Sequence, residues 1–185
     1  ILSCQKAAEG GIILKKKIIS FLISLIIIIG LLPAAVFAQE NYGLYVNGEQ
    51  FTSEKLTVAC GGGTATYDPG TTTLTLNNAT ITNGGKSDES PKYGIRVVGD
   101  GNLTIKLMGT NIISLTDGGG IFADGSSNDF KITGDGKLTV NVKWDALYTL
   151  NGNIEISENA DIDINSQSGC GIMSYNKGEI TVDNA

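Results

Sequence analysis

Apolar positions recur at nearly fixed spacing through the last two thirds of the chain. In one block Ile95, Ile121, Leu147 and Ile172 follow Gly94, Gly120, Ala146 and Gly171, and the apolar members stand 26, 26 and 25 residues apart. A second block is an apolar-polar-apolar triplet: Leu74-Thr75-Leu76, Leu103-Thr104-Ile105, Phe130-Lys131-Ile132, Ile154-Glu155-Ile156 and Ile180-Thr181-Val182. A third holds Ile113, Val140 and Ile164, followed two positions on by Leu115, Val142 and Ser166. Each repeat offers three short strands separated by Gly, Asn and Asp, too short to be stable unless like units stack beneath them. The pattern predicts an all-β chain: a right-handed parallel β-helix, a solenoid of 25 to 26 residues and three short strands per turn.

Alternation along a strand then assigns faces. The apolar members of each triplet point into the coil, and Thr75, Thr104, Lys131, Glu155 and Thr181 point out. Lys131 and Glu155 become neighbours of opposite charge on adjacent rungs, worth about 0.2–1 kcal/mol. Asn141 and Asn165 stack outward on the third strand. Residues 39–65 are expected to cap the first rung, because Asn47-Gly48 between alternating apolar residues is a strong two-residue hairpin signal. The turn Asp68-Pro69-Gly70 carries Thr64 to Tyr67 into Thr72 to Leu76, and the coil repeats occupy 66–185. The stretch 83–91 is polar and aperiodic, a loop bulging from the first rung.

The N-terminal region has a different pattern. Lys15-Lys16-Lys17, the apolar run Ile18 to Leu32, Pro33 and the small-residue site Val36-Phe37-Ala38 have the anatomy of a secretory signal peptide spanning 14–38, cleaved after Ala38. The run is shorter than the about 20 residues of a spanning helix, so a secreted or cell-surface protein, free of the membrane after cleavage, is expected. Residues 1–13 are expected to be translated leader sequence, since Glu9-Gly10-Gly11 is what a purine-rich bacterial ribosome-binding site yields in frame and Leu14 falls where a start codon would stand. At the other end, the strand Ile180 to Val182 stands without a capping segment, so a truncated C-terminus and further domains in a longer chain are expected.

Charge narrows the partners. Past residue 38 the chain holds 9 Lys plus Arg against 18 Asp plus Glu, about −9 against −6 for the whole. Nucleic acid is excluded on that balance, and polyanions such as pectin are disfavoured unless calcium bridges them. Of the cysteines, Cys60 and Cys170 lie about four rungs apart, beyond disulfide reach, and Cys4 lies in the leader. With no His in the chain, a catalytic thiol has no obvious base.

One outward column invites a functional reading. Arg96, Phe122, Tyr148 and Met173 follow the first-block apolar positions and stack rung above rung, with Tyr93, Trp144 and Tyr175 within three positions. Exposed rings in a row offer flat apolar surfaces to pyranose rings, and Asp124, Asp145 and Asn151 flank them as hydrogen-bonding groups. The candidate carbohydrate-binding residues are therefore Arg96, Phe122, Trp144, Tyr148 and Tyr175. A covering loop or domain is the alternative, as is simple pairing of Arg96, the only Arg, with Asp100.

Catalysis finds less support. Thr116-Asp117-Gly118 faintly resembles the Asn-Thr-Asp motif of polygalacturonases, but the Gly-His-Gly and Arg-Ile-Lys motifs of that family are missing. Asp117 and Asp145, one rung apart, are candidates for the two carboxyls that hydrolysis needs about 5–10 Å apart. No catalytic residue is assigned. Asp100-Gly101-Asn102, Asp124-Gly125-Ser126 and Asp135-Gly136-Lys137 look like calcium loops, but Asp-Gly is also the common tight-turn pair. No metal site or cofactor is therefore expected, with calcium left possible.

The pieces Leu44-Tyr45-Val46-Asn47-Gly48, Tyr67 to Ile81 (YDPGTTTLTLNNATI) and Gly101-Asn102-Leu103-Thr104-Ile105 resemble the exported right-handed β-helix proteins of Gram-positive anaerobes, described as carbohydrate-binding domain proteins. The resemblance covers most of 42–185 and implies a secreted or cell-surface module that meets polysaccharide. It supplies no catalytic residue. The expected function is noncatalytic polysaccharide binding along a lateral face, with Phe122 and Tyr148 foremost; the alternatives are a structural stalk of a surface protein and a pectin-active hydrolase or lyase.

Overall fold

The computed structural model describes residues 39–85, 92–176 and 178–183. The expected leader and signal peptide, and most of the loop expected at 83–91, lie outside the described residues. Among the described residues there is no helix. Four strands come first: β1 (Asn41–Val46), β2 (Glu49–Thr52), β3 (Thr57–Cys60) and β4 (Gly63–Asp68). The coil follows. Its first turn is β5 (Thr73–Asn77), β6 (Thr80–Ile81) and β7 (Lys92–Val97), and its second is β8 (Leu103–Met108), β9 (Thr110–Leu115) and β10 (Gly118–Ala123). The third is β11 (Phe130–Thr133), β12 (Lys137–Val142) and β13 (Leu147–Thr149), and the fourth is β14 (Ile154–Ser157), β15 (Asp161–Ser166) and β16 (Ile172–Ser174). A last strand, β17 (Ile180–Asp183), stacks on β14.

Each turn donates one strand to each of three parallel sheets. Sheet A runs β7, β10, β13, β16; sheet B runs β5, β8, β11, β14, β17; sheet C runs β6, β9, β12, β15. This is a parallel β-solenoid of about four turns, consistent with the expected β-helix. The register stacks Ile95, Ile121, Leu147 and Ile172 in one inward column, and Ile113, Val140 and Ile164 in another. These side chains are fully buried in the first three turns, each contributing about 1.5–3 kcal/mol. In the fourth turn Ile162, Ile164 and Ile172 are only half-buried and line an apolar hollow of about 560 Å³ with Val182. Gly94 and Gly120 have no side chain because a Cβ at Gly94 would lie 2.7 Å from Ile113 Cγ2, and one at Gly120 2.2 Å from the Ala146 carbonyl oxygen.

Two differences from the sequence reading concern the first turn. The triplet Leu74-Thr75-Leu76 pairs with Ile105-Lys106-Leu107, two residues beyond the expected Leu103-Thr104-Ile105. A slip of two keeps every side chain on its own face, and β8 has three inward apolar residues, Leu103, Ile105 and Leu107, to receive it. The cap is also two hairpins rather than one. β1 and β2 join at Asn47-Gly48, both with positive φ (53° and 83°), and β1 adds antiparallel to β7. β3 and β4 join at Gly61-Gly62, and β4 adds antiparallel to β5, so the cap crosses the expected boundary at residue 65. Phe51 and Tyr42 pack their rings against Tyr67 at 6.0 and 5.3 Å and cover the first turn with Val58 and Cys60. Asn47 fastens the cap to sheet C, its Oδ1 accepting from the N–H groups of Thr82 and Asn83.

Candidate functional site

The outward column of sheet A is where the register puts it. Arg96, Phe122, Tyr148 and Met173 are consecutive partners on β7, β10, β13 and β16, and Tyr45 of β1 extends the row beyond Arg96. The rings of Phe122 and Tyr148 are stacked, with centroids 4.8 Å apart and planes within 7°. That geometry changes what they offer. Strands repeat at about 4.8 Å, too close for rings to lie flat side by side but right for rings standing on edge, face against face. Such a pair stabilises the coil by about 0.5–1.5 kcal/mol beyond its burial. The ring faces expected to receive a sugar are turned toward each other, and edges face solvent.

Tyr93 extends this stack from the start of β7, its ring 4.7 Å from that of Phe122. It lies across Gly119, where a Cβ would fall 2.2 Å from the Tyr93 ring. Tyr93 is 4% exposed, and burial, helped by the charge of Asp145 and by Tyr148, pushes its phenol up to about 12. Because the folded state keeps this proton to about pH 12 and the unfolded chain only to about pH 10, the contribution is intact below pH 10 and is lost as pH rises toward 12. Urea unfolding at pH 9 and pH 12 should therefore show a smaller alkaline loss in Tyr93→Phe than in the parent, by about 2 kcal/mol. Equal losses would place Tyr93 in contact with water.

Arg96 pairs with Asp124, not with Asp100, and its guanidinium lies 5.4 Å from the Phe122 ring centroid. Alternation explains the choice: Asp124 lies two residues past Phe122 on the same face, diagonal to Arg96. Asp100 sits between Gly99 and Gly101, both with positive φ, and accepts the N–H of Ser126 instead. Trp144 lies where sheet C turns into sheet A, beneath the ammonium of Lys143 at 5.0 Å. Lys143 also bonds Asp117 at 2.8 Å. Tyr175 lies where sheet A turns into sheet B and is 65% exposed. Arg96, Phe122 and Tyr148 are thus brought together, while Trp144 and Tyr175 occupy opposite margins of sheet A.

The margin at Tyr175 is built from amides. Asn176 donates to Asn151 Oδ1 at 2.6 Å, and Asn151 donates to the Gly125 carbonyl at 3.0 Å. Beside them a second ladder climbs the coil: Asn102 Oδ1 accepts the N–H of Asp129, Asp129 Oδ1 that of Asn153, and Asn153 Oδ1 that of Glu179. Ser126, Asn151, Gly152, Asn153, Asn176 and Gly178 line an open groove of about 490 Å³. The glycines are obligatory, since a Cβ at Gly152 would meet the Asn128 carbonyl oxygen at 2.0 Å. Sequence reading singled out Asn151 as a hydroxyl-bonding group and Ser126 only within a calcium-like loop, but not Asn153 or Asn176. The available signal was Asn176 falling one repeat of 25 residues after Asn151, which turn chemistry also explains.

The acidic candidates have other engagements. Asp117 bonds Lys143 and Asp145 accepts the N–H of Cys170 at 2.7 Å. Asp135 accepts from the Asn159 amide at 3.3 Å. Among the described residues no three Asp, Glu, Cys or His side chains converge as a metal-binding group. Cys60 is buried and Cys170 exposed, both free; burial pushes the Cys60 thiol above its ordinary pKa.

Comparison with protein-family models, with curated proteins and with solved structures gave no match. Function is therefore argued from the surface alone.

Proposed function

We propose that this chain is a noncatalytic β-solenoid module, secreted or displayed at a cell surface, that binds polysaccharide where sheet A turns into sheet B. The observation that carries this reading is Tyr175, largely exposed beside a groove lined by amides. A ring gives a sugar an apolar surface, and an amide both donates to and accepts from hydroxyls. Tyr148 lies near Tyr175: its phenol pKa is raised by burial first, then by the charge of Asp145, and then by Tyr175. The export reading rests on the pattern of residues 14–38. The noncatalytic reading rests on the engagement of Asp117 and Asp145 with Lys143 and Cys170.

Affinity electrophoresis through gels containing soluble polysaccharides tests the site. Retardation by at least one polysaccharide is expected, reduced at least tenfold in affinity by Tyr175→Ala, while Trp144→Ala retains it. Retardation that survives Tyr175→Ala and is lost in Trp144→Ala would move the site to the opposite margin. A second reading, a rigid stalk that binds nothing, draws on the stacked rings of Phe122 and Tyr148, which serve the coil itself. Free mobility in every gel would favour it.

A further inference from the structure

Resting on the reading above, we infer that the groove takes an uncharged, extended glycan lying along the coil axis, one pyranose unit to a rung. Three features lead there. The groove crosses successive rungs: Ser126 belongs to the corner after the second turn, Asn151 and Asn153 to the corner after the third, and Asn176 to the corner after the fourth. Two of its amides, Asn151 and Asn176, stand one rung apart and bonded to each other, at the rung spacing of about 4.8 Å, close to the length of one pyranose in an extended chain. A glycan laid across the coil would meet one of these amides; laid along it, successive sugars meet Asn151 and then Asn176.

The second feature is charge. The six lining residues described are uncharged. The carboxylates of Asp100 and Asp129 sit one hydrogen bond away, accepting the N–H groups of Ser126 and Asn153. Arg96 on sheet A is held by Asp124. A uronate polymer would bring its carboxylates to an acidic rim without a converging metal-binding group among the described residues to bridge them.

The third feature is that the amides are oriented before any ligand arrives. Among the described residues Asn151 uses one donor, to Gly125, and one acceptor site, to Asn176, of the four an amide possesses. Held this way, the side chains lose little freedom when a hydroxyl binds.

Titration calorimetry of the full chain tests the inference, with neutral gluco- and manno-oligosaccharides of two to six sugars and the matching oligogalacturonides, each in calcium and in chelator. Affinity for one neutral series should rise about tenfold from two to three sugars and then level, unchanged by chelator. Asn151→Ala and Asn176→Ala should each lower it at least tenfold, and the uronates should bind at least tenfold more weakly. Tighter binding of uronates, a calcium requirement, or affinity indifferent to length would overturn the inference while leaving the polysaccharide reading in place. No heat with any saccharide, together with free mobility in every gel, would overturn both.

Discussion

Ile132→Asp is expected to remove the cooperative unfolding transition under conditions where the parent is folded. Ile132 is fully buried and stacks between Ile105 and Ile156 at the centre of sheet B. A carboxylate placed there meets apolar neighbours above and below, and a buried charge without a partner costs about 3–5 kcal/mol or more. The lost apolar contact adds to this. Stability in a solenoid is a sum of repeats and the interfaces between them, so a defect in the third turn also cuts the fourth from the capped end. Lys131 supplies the control, being one residue earlier and on the outer face, bonded to Glu155 at 2.9 Å. The pair favours its charged form, lowering the Glu155 pKa and raising that of Lys131 chiefly through their hydrogen bond. An exposed pair is nevertheless worth little, and Lys131→Ala should unfold in urea at nearly the parent's midpoint. Similar losses at 131 and 132 would contradict the assigned faces.

Asn111→Leu is expected to destabilise the chain by about 1–3 kcal/mol, although hydrophobic pattern alone recommends it. Asn111 occupies an inward position of β9, and its partner on the next rung is Leu138. Leucine would complete an apolar column at nearly the same volume. The amide, fully buried, is spent on three turns at once: Oδ1 accepts the Ala79 N–H at 2.9 Å, and Nδ2 donates to the Met108 and Lys137 carbonyls at 3.2 Å each. Leucine strands the Ala79 N–H inside the coil and takes one donor from each of the Met108 and Lys137 carbonyls, the former keeping the N–H of Asn78 at 3.1 Å; an unmet buried group costs about 1–3 kcal/mol, partly offset by the apolar burial gained. Urea unfolding decides between the two expectations, and a more stable Asn111→Leu would show that the amide contributes no net stability.

The same contrast separates what could be read in the sequence from what could not. The repeat length, the three faces and the pairing of Lys131 with Glu155 follow from apolar spacing and alternation, which are properties of the chain itself. The pairing of Leu74 with Ile105 was invisible because a shift of two residues leaves every side chain on its face, and only the length of β8 decides it. Asn111, Asn153 and Asn176 drew no reading from the sequence, because an amide that ties rungs together has the same sequence appearance as one that shapes a bend. The column Arg96, Phe122, Tyr148 was legible as a column, but its use was not. How rings 4.8 Å apart arrange themselves depends on the rung spacing as much as on their identity. Tyr175, by contrast, was named from sequence and is the most exposed of the candidates.

The most direct test incubates the purified chain with insoluble polysaccharides, then measures both the protein left in the supernatant and the soluble sugar released. The account predicts depletion by at least one uncharged polysaccharide, lost in Tyr175→Ala, with no sugar released. Protein that stays in solution with every polysaccharide, or binding accompanied by soluble products, would contradict it.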